Sequence, residues 1–329
     1  MKINFISFLD PFVYSGGGEM VNRQLVNEGL KRGHQIHFSA VRPGKINFDQ
    51  DADLSILADI FNMGHSFQSL IAWRGFSDTF LAQAIEKIPF VHMTNAYADF
   101  CNLPFLPCNG KAQGACPEKP QLSMARRFFM RDWGNDCFAK KELVRNLYTK
   151  SSLNIFMSPA HRDITESFIG KGSLPDSYVV RPMIDTKTFF NRHQERDIEY
   201  LFVGVVGRAK GFHQMRKEYF DKDIHLVGKC MPDIKVDFGT YVGHLPYDQI
   251  PLYMNRAKNF VFLPEWREPQ PRVIAEAALC GCNIIANENA GVMTFEGDLS
   301  APSFYDNIAG DFWDKLETLP TSEKKKVAK

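Results

Sequence analysis

The 329 residues carry 39 Lys plus Arg against 38 Asp plus Glu, a formal net charge of +1, and 44% of them are hydrophobic. This balance excludes a disordered or fibrous chain and argues against a dedicated nucleic-acid binder. No apolar run approaches the length of a membrane span, and the length favours two domains of ordinary size.

The N-terminal MKINFISFLDP is too polar for a secretory signal and reads as a first β-strand, Ile3 to Phe8. Seven cysteines without such a signal suggest a reducing compartment, with thiols or a metal rather than a disulfide framework. A glycine loop, Gly16, Gly17 and Gly18, precedes a helix over about Met20 to Lys31, with Val21, Leu25, Val26 and Leu30 at helical spacing and Gly33 just past its end. The strand Gln35 to Ala40 follows. Strand, Gly-rich turn, helix and strand make a Rossmann-like opening, in which ligands gather at the carboxyl ends of strands. A flexible turn would show the same glycines.

Leu54 to Asp59 and Phe90 to Thr94 look like buried strands, with a helix between them over Ser77 to Ile88. His92 ends the run FVH, where strands of such a fold deliver groups to a cleft; a satisfied core histidine is the bland alternative. Residues 101–122, rich in Cys, Pro and Gly, read as an irregular insertion. Cys101, Cys108 and Cys116 lack tight C-x-x-C pairs, so free thiols compete with a structural zinc that Cys137 could complete. Leu122 to Lys150 holds seven Lys or Arg against three acids, among Phe128, Phe129, Trp133 and Phe138. Such an edge fits peripheral contact with an anionic membrane or a phosphorylated acceptor. A solvated helix face with an aromatic core side fits equally. SLNIFMSP and YVVRPMID give the last strands of this half, and NRHQERD, Asn191 to Asp197, is charged and unpatterned, the expected linker.

A second α/β series begins with FVGVVGRAKGF, Phe202 to Phe212, a strand running into a glycine loop with Arg208 and Lys210. Cations there could neutralise a diphosphate leaving group. After IHLVG and the YVGHLP link comes a β-α-β unit: FVFLP, a Glu-Pro turn, the apolar helix VIAEAALCGC and NIIAN. Glu276 is the only charge in that helix, and a buried carboxylate is costly without hydrogen bonds. Pro271 suits the first helical position, and the helix start near Glu268 offers unpaired N–H groups and a positive dipole end, a seat for phosphate that Arg272 could reinforce. Phosphate beside hydroxyl-binding carboxylates suits a nucleotide-sugar. Asn307 to Leu319 reads as a closing helix, and Ser322 to Lys329 as a solvated, frayed tail.

The ordered series of apolar strand ending in Pro264, Glu268-x7-Glu276, Ala277-x3-Gly281, short strand and Asn289-Ala290-Gly291 loop resembles the donor-binding core of glycosyltransferase family 4 (glycosyl transferases group 1), retaining enzymes of GT-B fold. The Gly-Gly-x-Glu loop and Arg32-Gly33-His34 resemble that family's first motif. The cysteine-rich stretch is similar to a subset in bacterial polysaccharide assembly, although Gln113 stands where one of those cysteines would be. The resemblance implies two Rossmann-like domains facing a cleft: an acceptor domain over 1–190, a nucleotide-sugar domain over 191–306, and a closing helix over 307–329 that returns to the first. It implies transfer of a sugar from a nucleotide-sugar, UDP- or GDP-sugar foremost, to a hydroxyl of a glycan or lipid-linked acceptor with retention and no obligatory metal. Localisation would be cytoplasmic, with peripheral membrane contact, and nucleic acid is not an expected partner.

The resemblance also assigns roles. Glu276 would hold the ribose and Glu268 the sugar hydroxyls, and Lys210 would stabilise the diphosphate, joined by Arg208. His92 would orient the sugar. Gly16, Gly17, Gly18, Gly204, Arg272 and Val273 would line the donor. Two departures stand out: Val205 follows Gly204 where the family has Arg, and Met93 follows His92 where it often has Asp. A nucleotide-sugar epimerase of GT-B fold, an inactive nucleotide-sugar-binding module and a scaffold in a membrane assembly remain alternatives.

Overall fold

Short strands of three to eight residues, most of them apolar, build two all-parallel sheets. The computed structural model describes residues 1–14, 16–42, 44, 47–60, 84–97, 99–100 and 142–321. By contact density the chain divides into two compact units, Met1–Val180 with Asn307–Lys329, and Arg181–Asp306.

In unit 1 the elements run β1 (Lys2–Leu9), α1 (Gly17–Lys31), β2 (Gln35–Arg42), β3 (Leu54–Ala58), β4 (Phe90–Met93), α2 (Glu142–Thr149), β5 (Leu153–Phe156), α3 (Pro159–Ile169) and β6 (Ser177–Val179). The sheet order is β2-β1-β3-β4-β5-β6. β1, β3, β4 and β5 are almost wholly buried, as parallel strands covered on both faces must be, so their sequences are nearly unbroken apolar runs. The last helix, α7 (Ile308–Glu317), packs on α1: Trp313 is fully buried and its indole N–H donates to the Leu25 carbonyl at 2.8 Å. Arg32 ties the same two helices through Asp314 at 2.7 Å and the Gly310 carbonyl at 3.0 Å.

Unit 2 holds β7 (Ile198–Val203), α4 (Phe212–Tyr219), β8 (Ile224–Val227), β9 (Thr240–Gly243), α5 (Ile250–Arg256), β10 (Ala257–Phe262), α6 (Arg272–Leu279) and β11 (Asn283–Ala286), in the order β11-β10-β7-β8-β9. β9 is a strand where sequence suggested only a link. It is a short, largely exposed edge whose register shifts against β8, so it lacks the apolar pattern that marks the others. The charged segment read as a linker is built into unit 2. The Arg196 guanidinium donates to the carbonyls of Met254, Ala257 and Cys280, and the Arg192 backbone N–H donates to Asn255.

Two helix starts differ from expectation. α1 begins at Gly17 rather than Met20, because its glycines serve close packing: a Cβ on Gly18 would lie 2.8 Å from Asn95 Nδ2, and one on Gly16 would lie 2.2 Å from the Glu19 carboxylate. Pro271 is the extended residue preceding α6 rather than its first helical residue. Of the expected helix over 77–88, residues 84–87 are helical and 77–83 fall outside the described residues, as do Cys101, Cys108, Cys116, Cys137, most of the basic aromatic segment and the tail from 322.

Candidate functional site

In each sheet the first strand has its successor on one side and a later strand on the other, which opens a crevice at the carboxyl ends where ligands of α/β folds collect. In unit 2 that crevice lies between β7 and β10, which pair in parallel. The loop after β7 carries Arg208 and Lys210, and the turn after β10 carries Glu268. Sheet order therefore brings together residues nearly sixty positions apart.

Lys210 Nζ lies 2.6 Å from a Glu268 carboxylate oxygen and 5.7 Å from the centre of the Phe262 ring. The pair is mostly sheltered, with the Lys side chain 33% and the Glu side chain 12% exposed. Backbone geometry fixes both partners. Gly211 sits at φ 86° with its Cα against β10, where a Cβ would be 1.8 Å from the Leu263 carbonyl oxygen, so only glycine lets this loop close onto the strand end. The Glu268 turn is zipped to the loop after β11: its N–H donates to Asn289 O and its carbonyl accepts from Gly291 N–H, both at 2.8 Å. The side-chain amides of Asn287 and Asn289 donate to the Pro264 carbonyl at 3.0 and 2.9 Å.

Glu276 stands one turn inside α6, its side chain 8% exposed, so it does not snorkel to solvent. Its Oε1 accepts from the Tyr247 hydroxyl at 2.9 Å, and Arg272 Nη2 lies 3.6 Å away. Burial pushes the Glu276 carboxyl above the usual range, while Arg272 and the Tyr247 hydrogen bond pull it back. Arg272 has a side chain 10% exposed, and its Nε makes no hydrogen bond in the structure. It stands at the first turn of α6, where N–H groups and the helix dipole favour an anion. Val273 is the next residue of that turn, half-buried.

Arg208 faces elsewhere. Its Nε donates to Glu265 at 3.1 Å and its guanidinium lies 4.9 Å over the Trp266 ring. Val205, the departure from the motif, is 42% exposed. Gly204 ends β7 at φ 152°, and its carbonyl oxygen would lie 1.8 Å from a Cβ on Gly228, so β7 and β8 part here at close backbone contact.

In unit 1, His92 is 1% exposed and lies among side chains. Its Nε2 is 3.1 Å from Asp99 Oδ2, an oxygen that already accepts from the Tyr148 hydroxyl at 2.8 Å, and its ring meets Tyr148 edge-on at 4.5 Å. The Gly16 to Gly18 segment stands at the β1–β3 crevice, where one acid that sequence reading gave no role also lies. Asp59, at φ 49°, ends β3 and accepts from the Asn95 backbone N–H at 2.6 Å and from its side-chain amide. Burial pushes its carboxyl up to about 6; the Asn95 bonds oppose that shift, and Glu19 and Asp99 add to it. The available signal was an Asp closing the apolar run LSILAD, a residue that tolerates the positive φ of a strand end better than most. Tyr247 was missed as well, because a tyrosine in a short turn has no sequence mark tying it to a helix 29 residues on.

Among the described residues no His, Cys, Asp and Glu cluster suits a metal, and no helix is long and apolar enough to cross a membrane. Solved structures match over nearly the whole chain. Anabaena Alr3699/HepE in complex with UDP is similar at 15% identity and a TM-score of 0.53, covering 98% of this chain and 93% of that one. Its complex with UDP and glucose gives 14%, 0.52, 97% and 91%. An α-glucosyltransferase in complex with UDP and a 13-mer DNA containing a HMU base gives 10%, 0.50, 96% and 91%. The chain has the GT-B fold. No protein-family model and no curated protein matches it in sequence.

Proposed function

We propose that this protein is a glycosyltransferase of the family 4 type, moving a sugar from a nucleotide-sugar to a hydroxyl of a glycan or lipid-linked acceptor. The observation that carries this reading is the pairing, at the unit 2 crevice, of the Lys210–Glu268 ion pair with the buried Glu276 beside the α6 N-terminus. These groups match the parts of a nucleotide-sugar in order. Glu276 accepts from ribose hydroxyls. The first turn of α6, with Arg272 and Val273, receives phosphate. Lys210 offsets the charge that develops on the diphosphate as the glycosidic bond breaks, and Glu268 accepts from the sugar hydroxyls. UDP is the favoured nucleotide, since similar structures hold UDP; a GDP-sugar is the next candidate.

The site supplies two positive side chains to the diphosphate, so the reading requires no metal, and activity should survive chelation by EDTA. Each side chain in this set has a donor-binding role in this reading, and same-face transfer with retention, the leaving phosphate taking the acceptor's proton, needs no separate nucleophile. His92 is assigned to orient the transferred sugar, which requires its buried ring to be uncovered when donor binds. Gly204 lines the donor with backbone. Polysaccharide assembly, a cytoplasmic setting and peripheral contact with a membrane belong to the same reading.

Thermal-shift screening against UDP-, GDP-, ADP- and dTDP-sugars, followed by transfer assays read for product anomer, tests it. Stabilisation by none of the four would refute it. Val205 in place of a cation, with Arg208 turned to Glu265 and Trp266, favours one second reading: a module that binds nucleotide-sugars without turnover. Nucleoside diphosphate binding without donor hydrolysis or transfer would select that reading.

A further inference from the structure

Tyr247 opens a short 3-10 turn, Tyr247–Gln249, just beyond the edge strand β9. Its ring packs against Phe189 with centroids 5.4 Å apart at 62°, and the residue is 46% exposed. Its hydroxyl nevertheless reaches a carboxylate that is nearly buried. At helical spacing from Glu276 stand Arg272, Val273, Leu279 and Cys280, of which Arg272 alone carries a charge. Arg272, at 3.6 Å, attracts the carboxylate but is too distant to hydrogen-bond it well. The oriented donor to Oε1 is therefore the Tyr247 phenol at 2.9 Å.

We propose that Tyr247 is a positioning residue of the nucleotide site, holding one oxygen of Glu276 so that the other is presented to ribose hydroxyls. This rests on the reading in which Glu276 takes the ribose. Hydroxyls are donors, so they need an acceptor that is both ionised and aimed. A phenol bonded to the carboxylate serves both needs, because a hydrogen bond to the charged form favours that form against the burial that opposes it. The Phe189 contact holds the ring, which makes the hydroxyl a fixed point rather than a swinging one. Tyr247 thus becomes a selectivity element: it decides how strongly the site distinguishes a ribose from a sugar lacking its hydroxyls.

The test uses the full chain and two probes, UDP and 2′,3′-dideoxy-UDP, titrated by calorimetry. Wild type should prefer UDP by about 30-fold, the scale of hydroxyl bonds to a charged acceptor. Tyr247→Phe keeps the ring on Phe189 and removes only the hydroxyl. It should cut that preference to about 5-fold or less while leaving affinity for the dideoxy probe within about 2-fold, a result that also reports an intact fold. In a Glu276→Gln background, adding Tyr247→Phe should change neither affinity. Unchanged selectivity in Tyr247→Phe would overturn the inference. Tighter UDP binding would do so too, since it would mean that the phenol competes with ribose. If wild type binds UDP and only the Tyr247 effect is missing, this inference alone falls; if wild type binds neither probe, the nucleotide reading falls and takes it along.

Discussion

Removing the charge of Lys210 separates two consequences of its bond to Glu268. Lys210→Met keeps an unbranched stem against the Phe262 ring while deleting the ammonium. Glu268, 12% exposed and held by its backbone bonds to the loop after β11, cannot swing to water and is left without its cation. An orphaned partner of a sheltered charge costs about 1–3 kcal/mol. For a unit of this size each kcal/mol moves the melting temperature by roughly 3–5 °C, so a fall of about 3–15 °C is expected by circular dichroism. Adding Glu268→Gln to Lys210→Met should recover at least about half of that loss, because the stranded charge is gone. Turnover should respond differently. If Lys210 acts on the leaving diphosphate, kcat falls by about 10²–10³-fold with little change in donor KM, and Glu268→Gln does not rescue it. Loss of stability with wild-type kcat would leave Lys210 a structural residue and refute its chemical role. Wild-type stability and wild-type kinetics together would refute the pairing itself.

Two further outcomes test the framework around the site. Gly29→Ala should gain about 1 kcal/mol of helix propensity in α1. Its Cβ would instead lie 2.3 Å from Trp313 Cζ2, so the variant should melt lower than wild type as α7 is pushed off α1; a higher melting temperature would contradict that packing. Burial lowers the His161 imidazole to about 3, against an ordinary value near 6.5. It stays neutral in the fold while the unfolded chain takes up a proton below pH 6.5. The stability His161 confers is full above that pH and is lost as pH falls toward 3, by about 2–3 kcal/mol at pH 4.5. His161→Gln should flatten the acid limb of melting temperature against pH, and an unchanged slope would show that another group carries it.

Sequence alone revealed the two α/β series because buried parallel strands are apolar on both faces and their glycine turns are punctuated. β9 escaped because an edge strand needs no such run, and the segment around Arg196 looked like a linker because its partners are backbone carbonyls far along the chain. Within the site, Glu276 was legible as one charge in an apolar helix, and Lys210 as a cation after a strand. That Lys210 meets Glu268 follows from strand order, which no local pattern encodes. Motif offsets do not reveal what surrounds a side chain: Arg208 lies over Trp266, and His92 is enclosed by Asp99 and Tyr148.

The most direct measurement is calorimetric titration of UDP into the wild-type protein and into Glu276→Ala. A buried carboxylate that accepts ribose hydroxyls should give a dissociation constant at least about 10-fold weaker in the variant, with the melting temperature of the free protein shifted far less than the affinity. Equal affinity in the two proteins would contradict the assignment of Glu276 to the nucleotide, and no binding by wild type to UDP or GDP would contradict the nucleotide-sugar site as a whole.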